Sequence, residues 1–109
     1  MLNPGDVVTA SFAGAVQTKR RPLVVVSTDA YHSARPDVIL SEITTQIHRA
    51  TTPTDYVLLD WAAAGLRTPS AFRVYLGTMS AAAATRIGRL SDRDWLEVQL
   101  RLRLGLAVM

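Results

Sequence analysis

Hydrophobic and polar positions alternate with a period of two at the start of the chain, and short apolar runs recur after it. In "GDVVTASF", Val8, Ala10 and Phe12 fall on one side, and Val7, Thr9 and Ser11 on the other. Following Pro4-Gly5, this pattern predicts a half-buried first strand. "PLVVVS", Pro22 to Ser27, is apolar on both sides and β-branched, which predicts a central strand beginning at the proline. "VILSEITTQ", Val38 to Gln46, predicts a third strand that turns polar at its end. "DYVLLDW" and "AFRVYLGTM" predict a fourth and a fifth. The intervening "AGAVQT", "TDAYHSARPD", "HRATTPT" and "AAAGLRTPS" are polar, or carry glycine or proline, and predict loops and turns. Short strands at this spacing favour a small barrel over a parallel α/β sheet.

The remainder of the chain has a different pattern. "AAAAT", Ala81 to Thr85, is a short alanine-rich helix candidate. Ser91 followed by Asp92 and Asp94 is a helix start, with a side-chain cap and acids near the positive end of the dipole. "VQLRLRLGLAV" alternates strictly from Val98 to Val108, which is strand period. The cap and the leucine content nevertheless predict a helix. On that helix the leucines cover a wide arc, with Arg103 inside it.

The length of 109 residues suits a single domain, 1–109, with one core, and a hydrophobic fraction of 49% excludes a disordered chain. Cysteine is absent, which removes disulfides and thiolate metal sites. The histidines, His32 and His48, are sixteen residues apart with no further ligand pattern, so no metal or cofactor is expected. "MLNPGDVV" lacks the basic and apolar regions of a secretory signal. No run approaches the roughly 20 apolar residues of a membrane span. A cytoplasmic protein is therefore expected. Net charge is +3, from twelve Lys+Arg against nine Asp+Glu, and Lys19 is the only lysine. Arginine suits phosphate, although a GC-rich genome would produce the same bias. The balance permits a nucleic-acid partner without requiring one.

Two stretches concentrate candidate chemistry. In "KRRPLVVVS" three cations precede the most apolar strand. Pro22 disfavours helical angles at Arg21, so that arginine is held extended at the rim of a sheet. A preorganised guanidinium there would stabilise developing phosphorane charge; the plain alternative is a solvated hairpin flank. In "SEITTQ" the alternation places Thr44 and Gln46 on one surface, and Ile43 and Thr45 on the other. Alone, this is an ordinary polar strand end.

Together, in order and spacing, these stretches resemble the MazF/PemK family of toxin endoribonucleases from type II toxin–antitoxin pairs. The resemblance runs from "PGDVVTASF" through "RRPLVVVS" and "ITTQ" to "GLRTPS" and "IGRLSDRDW". It implies a mainly β fold, a small SH3-like barrel with a C-terminal helix, forming a homodimer. It implies metal-independent cleavage of single-stranded RNA, typically mRNA, by attack of a ribose 2′-OH. The implied partners are that RNA and a cognate MazE-like antitoxin with an acidic tail. The family's catalytic arginine falls on Arg21 and its catalytic threonine on Thr44. Lys19, Arg20, Gln17, Gln46, His48 and Tyr31 are then the candidate RNA contacts. Tyr31 is the stacking candidate, placed in a loop close to the site. Arg67 and Arg73 are either extensions of a basic groove or ordinary surface cations. Trp95 is expected in packing, and Trp61 in the core or at a dimer contact.

The chain departs from the family in two places. Many members carry Gly-Ser-Glu before the arginine, whereas here "AGAVQTK" has no acid. After "PSAFR" this chain has Val74-Tyr75, where many members have an acidic or amide residue. Two alternatives share the barrel: a CcdB-like DNA gyrase poison without nuclease activity, and a catalytically silent binding module.

Overall fold

The computed structural model describes residues 1–13 and 18–108, with Phe12, Ala13, Thr18 and Lys19 described by their backbone alone. Six strands form one antiparallel sheet: β1 (Asp6–Ala13), β2 (Thr18–Val25), β3 (Asp37–Thr44), β4 (Tyr56–Val57), β5 (Ala71–Ser80) and β6 (Thr85–Arg89). Their order is β4-β5-β3-β2-β1-β6, curled into a half-barrel. Two helices, α1 (Asp29–Ala34) and α2 (Asp92–Gly105), and single 3-10 turns at Ile47–Arg49 and Ala81–Ala83 complete it.

The opening Gly-Asp has a structural reason. Gly5 has φ +89°, and a Cβ there would lie 3.2 Å from the Trp95 ring, so a side chain is strained and crowded at once. Its N–H donates to Val25 O at 2.8 Å, and its carbonyl accepts Leu90 N at 3.0 Å. Buried Asp6 accepts the Asn3 N–H at 2.8 Å and pairs with Arg86 of β6 at 3.2 Å. One turn thus ties β1 to β2, β6 and the start of α2.

Both faces of the sheet are covered. Val7, Val24, Ile43 and Phe72 pack on one face with Leu58, Ala64, Leu90 and Val98 of α2. Val8, Ala10, Leu23, Val25, Val38 and Leu40 form a second cluster on the other. β1 is therefore not half-buried: Val7 and Val8, on opposite sides, are both fully enclosed. The central placement of "PLVVVS" holds, with its side chains divided between the clusters.

Five local expectations change. β2 starts at Thr18, so Pro22 lies inside the strand. β3 ends at Thr44, and Gln46 leads into the 3-10 turn. "DYVLLDW" contributes only Tyr56–Val57, because the Leu59 and Asp60 N–H groups donate to the Asp94 carboxylate at 3.1 and 2.8 Å instead of to a neighbouring strand. The alanine run is a single 3-10 turn, and "TRIGR" after it pairs with β1 as β6. "TDAYHSARPD" is a short helix rather than a turn, its Thr28 hydroxyl accepting the Tyr31 N–H at 3.3 Å.

The C-terminal segment is helical to Gly105 despite its alternation. Val98 is buried and Trp95 and Leu102 pack on the first cluster, while Leu96, Leu100 and Leu104 are exposed in an i, i+4, i+8 stripe. Trp61 and Trp95 both pack on the core, as expected.

Candidate active site

The site begins where the central strands part. β2 and β3 are in register from Val25↔Leu40 to Leu23↔Glu42, and the ladder stops there. The Val26 N–H donates to Ile39 O at 3.0 Å. Donors alternate along a strand, so the nitrogen of Pro22 also faces β3. It carries no hydrogen, and the next ladder bond cannot form. Continuing the register by two residues would set Arg21 opposite Thr44. Instead the strands separate and leave a cleft of about 450 Å³ between them.

The opposite wall is opened by β5. The β3–β5 register shifts between Ser41↔Leu76 and Ile43↔Phe72. Buried Ser41 holds the bulge: its hydroxyl donates to Arg73 O at 2.6 Å and accepts the Tyr75 N–H at 3.2 Å. Bulges re-aim side chains, and Arg73 lines the cleft. The Arg73 Nε lies 3.4 Å from Asp55, whose side chain is 3% exposed. Burial raises the Asp55 carboxyl pKa, but the Thr52 N–H and hydroxyl, with Arg73, outweigh it and hold the pKa below the usual carboxylate range. Asp55 therefore stays ionised and anchors Arg73 from behind.

Arg21, Glu42, Thr44, Gln46, Arg49 and Arg73 all line this space. Leu23, Val25, Val38 and Leu40 share the second cluster, so alternation sends Arg21, Glu42 and Thr44 to that same face. The Arg21 Nε is buried with no hydrogen-bond partner among the described residues. A buried donor without an acceptor is costly, and among the described residues no hydrogen bond occupies the guanidinium, which lines the cleft and can meet an oxyanion there. The Thr44 oxygen accepts the Gln46 N–H at 3.1 Å. That bond orients the hydroxyl and leaves its hydrogen to donate. The set can bind a phosphodiester and stabilise added negative charge on it.

The other expected contacts are scattered. Arg20 projects from the opposite face to Arg21, and donates to Thr9 O at 3.2 Å and Thr85 Oγ1 at 2.9 Å. It lines a second cleft of about 400 Å³ with Thr45, Arg67 and Thr68. Gln46 is in the first cleft; His48 is exposed on the adjacent turn, where Arg49 supplies the wall instead. Tyr31 is not in a loop near the site. It sits on α1, donates to Asp37 at 2.5 Å and packs beside the Arg35 guanidinium. Asp37 is at the far end of β3 from Thr44, about 23 Å along an extended strand. His32 is part-buried, its Nε2 2.5 Å from the Ser27 hydroxyl. Gln17 lies outside the described residues, as does the side chain of Lys19.

Glu42 and Arg49 were not singled out by sequence reasoning. Glu42 had a signal: the alternation that joins Thr44 to Gln46 extends back to it. Arg49 had none, because a 3-10 turn after the strand brings it round. Among the described residues no cluster of three or more His, Cys, Asp or Glu is placed to hold a metal, and no helix is long and apolar enough to cross a membrane.

A curled antiparallel half-barrel, closed by a C-terminal helix and opened beside an Arg-Pro, defines a class of small toxin folds. The chain belongs to the family of PemK-like, MazF-like toxins of type II toxin–antitoxin systems, whose model matches residues 3–106. That family consists of endoribonucleases. No curated protein matches the chain. Among solved structures, a mycobacterial endoribonuclease in complex with its cognate antitoxin is similar with TM-score 0.75, 20% identity and full coverage of both chains. MazF in the MazE–MazF complex of Deinococcus radiodurans gives TM-score 0.72 at 17% identity, covering 97% of this chain and 98% of that one. The toxin MazF-mt6 of Mycobacterium tuberculosis gives 0.70 at 19%, covering 89% and 91%.

Proposed function

We propose that this toxin is a metal-independent endoribonuclease that cleaves single-stranded RNA, typically mRNA, at short sequences. The observation that carries this reading is the Arg21 guanidinium, mounted beside Pro22 with an unsatisfied buried Nε, facing the oriented Thr44 hydroxyl across the parted strands. The nucleophile comes from the substrate. The ribose 2′-oxygen bonds to the adjacent phosphorus, the P–O5′ bond breaks, and a 2′,3′-cyclic phosphate and a 5′-OH result. Such a reaction needs mainly alignment and charge stabilisation. Arg21 supplies a fork to two phosphate oxygens, and Thr44 donates a hydrogen bond. Arg49 and Arg73 add charge that draws the RNA backbone in. The antitoxin complexes among similar structures support a cognate antitoxin, whose acidic tail would compete for the same arginines. The exposed leucine stripe of α2 supports a homodimer.

Incubation of purified protein with a long mixed-sequence RNA in EDTA is expected to yield discrete fragments with 5′-OH ends, mapped by primer extension. Intact RNA would favour the gyrase-poison or silent-module alternative.

Thr44→Ala is expected to cut the cleavage rate by about 10–100-fold, the loss of one hydrogen bond to a charged group. Thr45→Ala, at a residue just past the end of β3 that borders both clefts, is expected to lower it less. The reverse order in single-turnover rates would show that the catalytic face has been misassigned.

A further inference from the structure

We propose that Glu42 is the proton acceptor of this site. The inference rests on the ribonuclease reading above. Glu42, opposite Leu23, lies two residues before Thr44 and one same-face step from the place where the register would set Arg21, and by alternation it faces the same way. It is the acid lining a cleft that also presents Arg21 from β2, Arg73 from β5 and Arg49 from the 3-10 turn. Tyr75 comes to the same face of β5 by alternation. Arg73 is held by Asp55, and among the described residues no cation lies within ion-pair distance of Glu42. Its carboxylate also accepts no hydrogen bond from a described group, so its lone pairs are unengaged at the cleft wall.

A free carboxylate in an anion-binding cleft repels the phosphate it must admit. It is absent from both core clusters, and among the described residues no structural partner explains its place. Its chemistry matches the one task that the arginines and Thr44 do not perform. A guanidinium cannot accept a proton, and a threonine hydroxyl is a poor base. The 2′-OH must lose its proton as the 2′-oxygen bonds to phosphorus. Glu42 takes that proton, the P–O5′ electron pair leaves with O5′, and O5′ is protonated by solvent water. Glu42 then returns its proton to solvent. The exchange balances without any co-reactant.

The test compares wild type, Glu42→Gln and Glu42→Asp on one single-stranded RNA containing a mapped cleavage site. Single-turnover rates are measured from pH 5 to 9, with circular dichroism as a folding control. Affinity is read by anisotropy on the same RNA with a 2′-O-methyl group at the cleavage site. Glu42→Gln is expected to lose about a hundredfold in rate, with affinity unchanged or tighter. Its remaining rate should rise in proportion to hydroxide, since solvent base then does the work. Glu42→Asp, which keeps the carboxylate, should recover part of the loss. Glu42→Gln with the wild-type rate and pH profile, or with its whole deficit in affinity, would overturn the role of Glu42 while leaving the ribonuclease reading intact. An inactive wild type would overturn both.

Discussion

Arg21→Ala is expected to lower RNA cleavage by about 10²–10³-fold, the cost of removing one preorganised transition-state donor. The fold should not change. The Arg21 Nε has no hydrogen-bond partner among the described residues, so truncation orphans no buried group. Denaturation midpoint and circular dichroism should stay close to wild type, separating this variant from one that fails to fold. Arg21→Lys is a sharper probe. It keeps the charge but loses the planar fork, so it should fall between wild type and alanine. If Arg21→Ala cleaves at the wild-type rate, the catalytic charge lies elsewhere, with Arg49 and Arg73 the next candidates in the same cleft.

The second large effect concerns stability. Asp94 is fully buried at the start of α2. Its carboxylate accepts the Tyr56 hydroxyl at 2.7 Å, the Leu59 N–H at 3.1 Å and the Asp60 N–H at 2.8 Å. Burial first, and then the bond to Asp94, push the Tyr56 hydroxyl pKa well above its usual range, so it remains a donor. Around this centre, the Ser91 hydroxyl accepts the Asp94 N–H at 3.3 Å and donates to Asp60 at 2.6 Å. Arg93 binds both oxygens of Asp60 at 2.7 Å and, with Ser91, holds the Asp60 carboxyl pKa below its usual range. Removing the Asp94 carboxylate leaves three part-buried donors without their acceptor. Asp94→Ala should therefore destabilise the protein by about 3 kcal/mol, a fall in Tm on the order of 10–20 °C. Asp94→Asn keeps one acceptor oxygen and should lose less. A midpoint within a degree or two of wild type for Asp94→Ala would show that the network contributes little. A depressed Asp60 pKa stabilises above the unfolded carboxyl's pKa, so this contribution fades as pH falls through the acid range.

The legible features were those set by neighbours along the chain. Short apolar, β-branched runs bounded by turn residues located β1, β2, β3 and β5, because such side chains pack on a pleated sheet. Ser91, Asp92 and Asp94 marked the start of α2, because capping is a local hydrogen bond. The Arg-Pro pair was recognisable because proline constrains the residue before it. Where tertiary partners compete with local pattern, the reading diverged. Leu59 and Asp60 leave the strand pattern for Asp94, thirty-odd residues away. "TRIGR" becomes a strand because β1 offers a free edge. The alternating leucines of α2 remain helical because one narrow face finds the core.

For the site itself, sequence alone placed Thr44 and Gln46 together, and Arg21 beside a rigid strand. It could not say that Arg20 would turn to the other face and bond to Thr9 and Thr85, or that Tyr31 would pair with Asp37 at the far end of β3. Above all, it could not place Pro22 inside β2 with its nitrogen toward β3. That orientation depends on the register between strands, which neither strand encodes separately. A missing N–H at that point ends the ladder, and the space it opens brings Arg21, Glu42 and Thr44 into one cleft.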